Sequence, residues 1–296
     1  MTKSCCQECK LGKTCASKKT RQIPPETIYS WEPWGNPLRG RHHDNCYDYA
    51  FGLNNERSVV KTSPGSISRN SGRNLSYTTC NDIARRVLKD YKGLAYRCKS
   101  GSSPCARGYY KVMNFVAPEN DFGNMTGDFH WYRQIKVVKY KTRAGDTVAA
   151  LAKFFRVTPA VIRAAAKKGR PAKSSSDGRI TNAPNKNLTV LNRLVQASRG
   201  RSQPLVPGRV LTFPVKLWAH KQGWATGPLL VDASGRTIKD PRRADRNYRP
   251  GYHYKKFCSA YCVKTGAGKV ALQRIRANER SQSRNLLNRL LGQRRM

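Results

Sequence analysis

Apolar and polar residues repeat along this chain in two periods, and the changes of period mark its elements. From Asp44 to Leu53 (DNCYDYAFGL) the spacing is helical, with Cys46, Ala50 and Leu53 able to share a face. Cys80 to Tyr91 (CNDIARRVLKDY) predicts a second, amphipathic helix. Its stripe is Ile83, Ala84, Val87 and Leu88, and Thr78 or Thr79 can cap it. Residues 54–77 between them are rich in Ser, Asn, Gly and Arg and predict a long loop. Tyr109–Val116 and Phe129–Val138 are strand-like, the second dense in aromatic and β-branched side chains. Strand-like runs return at Trp218–Lys221 and Leu229–Asp232. Asp232–Gly235 reads as a turn, and residues 239–256 as polar, basic and irregular.

The stretch 138–215 has its own pattern. Tyr140-Lys-Thr-Arg-Ala-Gly-Asp-Thr-Val148 runs from a strand into a turn that Gly145 permits. Asp146 or Thr147 can accept the orphan N–H groups of a helix over Ala149–Phe155. A second helix starts with Thr158 as N-cap and Pro159 at its first position, Val161, Ile162 and Ala165 facing inward. The stretch closes with Leu205-Val-Pro207-Gly208-Arg-Val-Leu211-Thr-Phe-Pro214. Both ends resemble those of LysM modules, which have a strand–helix–helix–strand (βααβ) order. The resemblance implies binding of N-acetylglucosamine-containing glycan at Gly145, Asp146, Thr147 and Asn192. A basic insertion near 167–187 interrupts the match, and the family's Asn-containing turn resumes at Leu191–Leu194.

Two further motifs, Asn45-Cys46-Tyr-Asp-Tyr-Ala50 and Asp128-Phe-His130-Trp-Tyr-Arg-Gln134, resemble the signatures of NlpC-type, papain-like thiol hydrolases. The likeness extends through Asp232–Gly235 and Tyr248 to Phe257–Cys262. It implies Cys46 as nucleophile at the start of a buried helix, His130 as general base on a strand, and His220 as orienter on the next strand. The chemistry asks for that arrangement. A helix N-terminus and a nearby imidazole favour the thiolate, and a third polar group orients the imidazole. With 138–216 removed, His130 and His220 fall on neighbouring strands of one hairpin. The expected fold class is therefore α+β. A discontinuous papain-like domain (28–137 and 216–263) carries the LysM module (138–215) in a sheet hairpin. A Cys/Lys-rich arm (1–27) and a basic tail (264–296) flank it.

Charge changes the picture of partners. The chain has 57 Lys+Arg against 17 Asp+Glu, a formal net charge of +40. Such a chain repels itself unless an acidic partner surface, nucleic acid or anionic lipid headgroups neutralise it. The basic residues match no DNA-reading motif, so contact with nucleic acid or headgroups would run through phosphates. No apolar run reaches the roughly 18–20 residues of a membrane span. Residues 1–15 lack the apolar core of a signal peptide, so synthesis in a host cytoplasm is expected.

Ten cysteines are many for that compartment. Large DNA viruses that carry a thiol oxidase supply one setting for them. Cys5, Cys6, Cys9 and Cys15 are weak zinc candidates and equally disulfide candidates. Cys80, Cys98, Cys105, Cys258 and Cys262 are disulfide candidates, with a metal site at Cys98, Cys105, Cys258 and Cys262 as the less favoured choice. The sequence holds no Walker loop, dinucleotide motif or HExxH, and no cofactor is expected. In the tail, Leu286, Leu287, Leu290 and Leu291 form an apolar ridge between arginines, suited to folding onto a partner.

These features predict a structural component, a minor capsid protein, of a large DNA virus particle. The chain resembles virion proteins of such viruses, and its arms would contact other capsid proteins, membrane or genome. The alternative is a wall-degrading cysteine hydrolase held on glycan by LysM.

Overall fold

A computed structural model describes residues 23–29, 34–35, 42–54, 61–68, 79–118, 127–173, 186–223, 225–248 and 250–293, with backbone alone at 286 and 289–293. Cys5, Cys6, Cys9, Cys15 and most of the expected 54–77 loop lie outside the described residues. The described chain is a mixed α+β fold with a mostly antiparallel sheet and six α-helices.

Chain order begins with β1 (Ile28–Tyr29), α1 (Cys46–Phe51), α2 (Cys80–Asp90), β2 (Ala95–Arg97), β3 (Tyr109–Ala117) and β4 (Asp128–Lys141). Next come α3 (Val148–Phe155), α4 (Pro159–Lys167), β5 (Arg170–Pro171), α5 (Lys186–Ser198) and β6 (Arg209–Lys221). The chain ends with β7 (Pro228–Leu229), β8 (Asn247–Tyr248), β9 (Tyr252–His253), β10 (Lys256–Lys264) and α6 (Ala267–Gln293). The main sheet runs β2-β10-β3-β4-β6-β5, with β1 parallel on β4 and β7 on β6.

β4 is the spine. Asp128–Arg133 pair with β3, Val137 and Val138 with β1, and Tyr132–Lys141 with β6. Both of its faces are covered, which explains its near-continuous apolar run. Phe129 and Trp131 join the cluster under α1 and α2, whereas Tyr132 joins a cluster with Trp218, Ile238 and Tyr254 on the opposite face.

α1 starts where expected. Asn45 Oδ1 accepts the N–H groups of Tyr47 (2.8 Å) and Asp48 (3.0 Å), and Asp48 returns a bond to the Asn45 N–H at 2.9 Å. Its end is set by Gly52 at φ 70°. Thr79 and Thr158 hold the N-cap positions of α2 and α4, but neither side chain makes a capping bond. Disulfides join Cys80 to Cys258 and Cys105 to Cys262.

The expectations for Leu191–Leu194 and for residues 239–256 need correction. Leu191–Leu194 lie inside α5, not in a turn: Val190, Leu191, Leu194 and Val195 recur at helical spacing and join the cluster that holds α3. The stretch between β4 and β6 packs against the rest of the chain. Phe154, Phe155 and Leu191 share one cluster with Tyr29, Tyr49, Leu217 and Leu230. Asn187 of α5 stitches them further, donating to Tyr29 Oη (3.0 Å) and Pro228 O (3.1 Å) and accepting from the Leu230 N–H (2.8 Å). Residues 239–256 contain a 3-10 turn at Pro241–Arg243 and the β8–β9 hairpin. The tail is rooted in the core: Ala267 and Ala271 are buried, and Gly268 sits on the Gly52 backbone. Of the leucine ridge only the Leu287 side chain is described, and it is 56% exposed. No helix among the described residues is long and apolar enough to cross a membrane.

Candidate active site

β6 ends one residue past His220, which is paired with Tyr132, so Asp128–Trp131 of β4 run on without that neighbour. A cavity of about 350 Å³ opens at this edge. Cys46 reaches it from α1 and His130 from β4, and Asp128, Lys61, Tyr248 and Tyr254 complete its chemistry. The Cys46 thiol meets the Phe129 carbonyl at 3.7 Å and takes a hydrogen bond from the Trp131 N–H. The sulfur is thereby fixed against the main chain on both sides of His130.

The two histidines are in direct contact, His130 Nε2 to His220 Nδ1 at 2.8 Å. His220 Nε2 lies 3.0 Å from the Val231 carbonyl, nearer than the Tyr248 hydroxyl at 3.4 Å. A carbonyl only accepts, so His220 Nε2 carries the proton and Nδ1 is bare. His130 Nε2 must then donate to it, which leaves His130 Nδ1 unprotonated and basic. A main-chain carbonyl thus sets the tautomers of two rings in series. The His130 ring is clamped by Tyr254, stacked at 4.9 Å and 28° between planes. Tyr254 Oη in turn donates to Asp128 at 2.7 Å.

Burial dominates the electrostatics. It holds His130 well below its ordinary range, with the neighbouring His220 and Arg246 adding to the effect. His220 is lowered to about 4 by burial, against the pull of the Val231 carbonyl. Burial also raises the Cys46 thiol well above its ordinary value. Asp128 and Asp48 push the same way, while the Trp131 N–H and Lys221 oppose. This overturns the expectation of a lowered thiol: α1 is one and a half turns long and its first residue is desolvated, so burial outweighs the helix terminus. The resting pair is therefore thiol and neutral imidazole.

Beneath the cavity, Lys221 donates to the carbonyls of Asp44 (2.6 Å) and Gly223, and burial lowers it to about 8. Asp48, bonded by Thr62 and Asn45, is raised to about 7 by burial. Lys221, Asp48 and Asp128 were not picked out from sequence, although each lies within two residues of one that was. The Val231 carbonyl carries no side-chain signal at all.

The glycan candidates sit elsewhere, at the turn between β4 and α3. Gly145 has φ 82°. Asp146 is fully buried, accepting from Tyr140 Oη (2.6 Å), the Arg143 N–H (2.7 Å) and the Arg143 guanidinium (3.1 Å). Thr147 caps α3 through the Ala150 N–H at 3.1 Å and meets Ser198 Oγ at 2.7 Å. Asn192 accepts from Arg143 at 2.9 Å. Each of these polar side chains is committed to holding the turn. Nearby, Thr142, Pro204, Leu205, Val206 and Arg209 line a smaller cavity of about 260 Å³.

Of the disulfide candidates, Cys98 remains a free thiol, as does Cys46. Compared with known proteins, the chain matches no family, no curated protein and no solved structure.

Proposed function

We propose that the chain carries a papain-like thiol hydrolase site, with Cys46 as nucleophile, His130 as general base and His220 as its orienter. The observation that supports this most is the bonded series Val231 carbonyl, His220, His130, which leaves Nδ1 bare on a ring that lines the same cavity as Cys46. As the sulfur attacks a scissile carbonyl, His130 Nδ1 takes its proton. It then gives that proton to the departing amine, and a water cleaves the thioester. His220 stays neutral throughout and accepts from the imidazolium that forms. The strand–helix–helix opening of β4, α3 and α4, closed by β6 after the added β5 and α5, supports the reading of this hairpin as a LysM-type glycan module. Peptide cross-bridges of a glycan wall would then be the substrate. Incubation with wall glycopeptides should release new amino termini, and Cys46→Ser should abolish the release. Equal release by both proteins refutes the assignment.

A second reading, a minor capsid component of a large DNA virus particle, is supported by charge. Arg276, Arg280 and Arg284 line the outer part of α6, and their side chains are exposed. In that reading Cys46 caps the β4 backbone, and α6 meets an acidic capsid surface or phosphates of membrane or genome. Polyanion affinity that falls steeply with salt supports it. A chain that stays monomeric at low salt without polyanion affinity counts against it.

A further inference from the structure

Three sulfurs cluster on the far side of the sheet from α1. Cys98 follows β2, Cys105 lies in the loop before β3, and Cys262 is on β10. All three lie within 4.8 Å of one another. Cys262 is bonded to Cys105, and the free Cys98 thiol stands 3.2 Å from Cys262 Sγ. A disulfide bond measures about 2.05 Å, so Cys98 would have to approach by roughly 1.2 Å to replace Cys105. Cys98 is anchored for this by its N–H on the Ala260 carbonyl at 2.8 Å.

We propose that Cys98, Cys105 and Cys262 form a thiol–disulfide exchange site that passes the bond of Cys262 between two partners. The Cys98 thiolate attacks Cys262 Sγ. The Cys98–Cys262 bond forms, the Cys105–Cys262 bond breaks, and Cys105 leaves as thiolate and takes up the proton that Cys98 lost. No electron is gained or lost overall, so no oxidant is needed.

Lys111 supports the step. Its ammonium donates to the Gly101 carbonyl at 2.9 Å and to that of Ser103, inside the loop that joins Cys98 to Cys105, and its charge favours the Cys98 thiolate against burial. Cys262 is fully buried and stays bonded in both isomers. Cys98, between the exposed Arg97 and Lys99, and Cys105, beside the exposed Ala106 and Arg107, are both half-buried. Exchange therefore moves the free thiol between two places on the surface that an external disulfide, such as oxidised glutathione, can reach.

The test is a disulfide map of the native chain, held in mildly alkaline buffer, quenched with acid and alkylated. Peptide mass analysis should find two isomers, with the label shared between Cys98 and Cys105. Cys105→Ser, incubated with oxidised glutathione as oxidant, should form the Cys98–Cys262 bond in place of the lost one. With oxidised glutathione, the wild type should gain glutathione on both Cys98 and Cys105, one in each isomer. A single Cys105–Cys262 isomer in the wild type overturns the proposal. So does a Cys105→Ser protein in which Cys98 and Cys262 both take the label.

Discussion

His130 and His220 are ninety positions apart in the chain, yet their rings meet at 2.8 Å. The contact exists because β4 and β6 stay paired from Tyr132 to Lys141 while four intervening elements fold between them. The direction of that bond matters as much as its length. The Val231 carbonyl fixes it, and the base in the cavity follows from it.

Replacing His220 tests that series. His220→Leu removes the acceptor for His130 Nε2, and hydrolysis should fall by roughly 10²–10⁴-fold. His220→Asn keeps an acceptor and a donor in the same place and should recover most of the loss. Turnover of a wall glycopeptide by the two variants reads the difference. Equal losses in both would mean that His220 only fills space.

Stability against acid reads the buried charges. His220 has its pKa at about 4 when folded and 6.5 when unfolded, so between those values the unfolded chain binds the extra proton and stability rises with pH. His130 acts in the same sense. Asp48 is the reverse, at about 7 folded and 3.8 unfolded: the folded chain binds the extra proton, and stability falls as pH rises through that range. Asp90 and Asp128 act with Asp48. The two trends, on the order of 3 kcal/mol for His220 and 4 kcal/mol for Asp48, oppose one another. Between about pH 4 and 6.5 the stability of Asp48→Asn should thus climb with pH more steeply than that of the wild type. Denaturant unfolding across that range checks it, and parallel slopes would contradict it.

Gly268 is the joint between α6 and the body. A Cβ there would collide with the Gly52 carbonyl and the Leu53 N–H. Gly268→Ala should cost about 1–3 kcal/mol or more and lower the melting temperature. An unchanged melting temperature would show that α6 is not seated on α1.

The Cys80–Cys258 bond ties the start of α2 to β10 across 178 positions. Replacing both cysteines by Ala should cost about 2–5 kcal/mol in thermal or denaturant unfolding. A smaller loss would show that the apolar contacts of α2 hold it without the bond.

Much of the body could be read from residue spacing. α1, α2, β3 and β4 fall within a few residues of their expected places, because Asn45, Gly52 and the aromatic run of β4 act locally. The pairing of β4 with β6 followed from matching two separated motifs. α5 was missed because its apolar residues sit behind a polar, basic stretch that hides their period. The raised Cys46 thiol was missed for another reason: sequence reveals that a cysteine starts a helix but not how dry its surroundings are. The fused core between the hairpin and the sheet depends on Asn187, whose partners lie as far away as Tyr29 and Leu230.

The most direct test is the alkylation rate of Cys46 in the native protein, resolved by peptide mass, for the wild type and for His130→Gln. Cys46 should be labelled in the folded state at a rate that rises into the alkaline range, with a loss of about tenfold or more when the base is replaced. Labelling of Cys46 only after unfolding, or at the same rate in both proteins, would contradict the assignment.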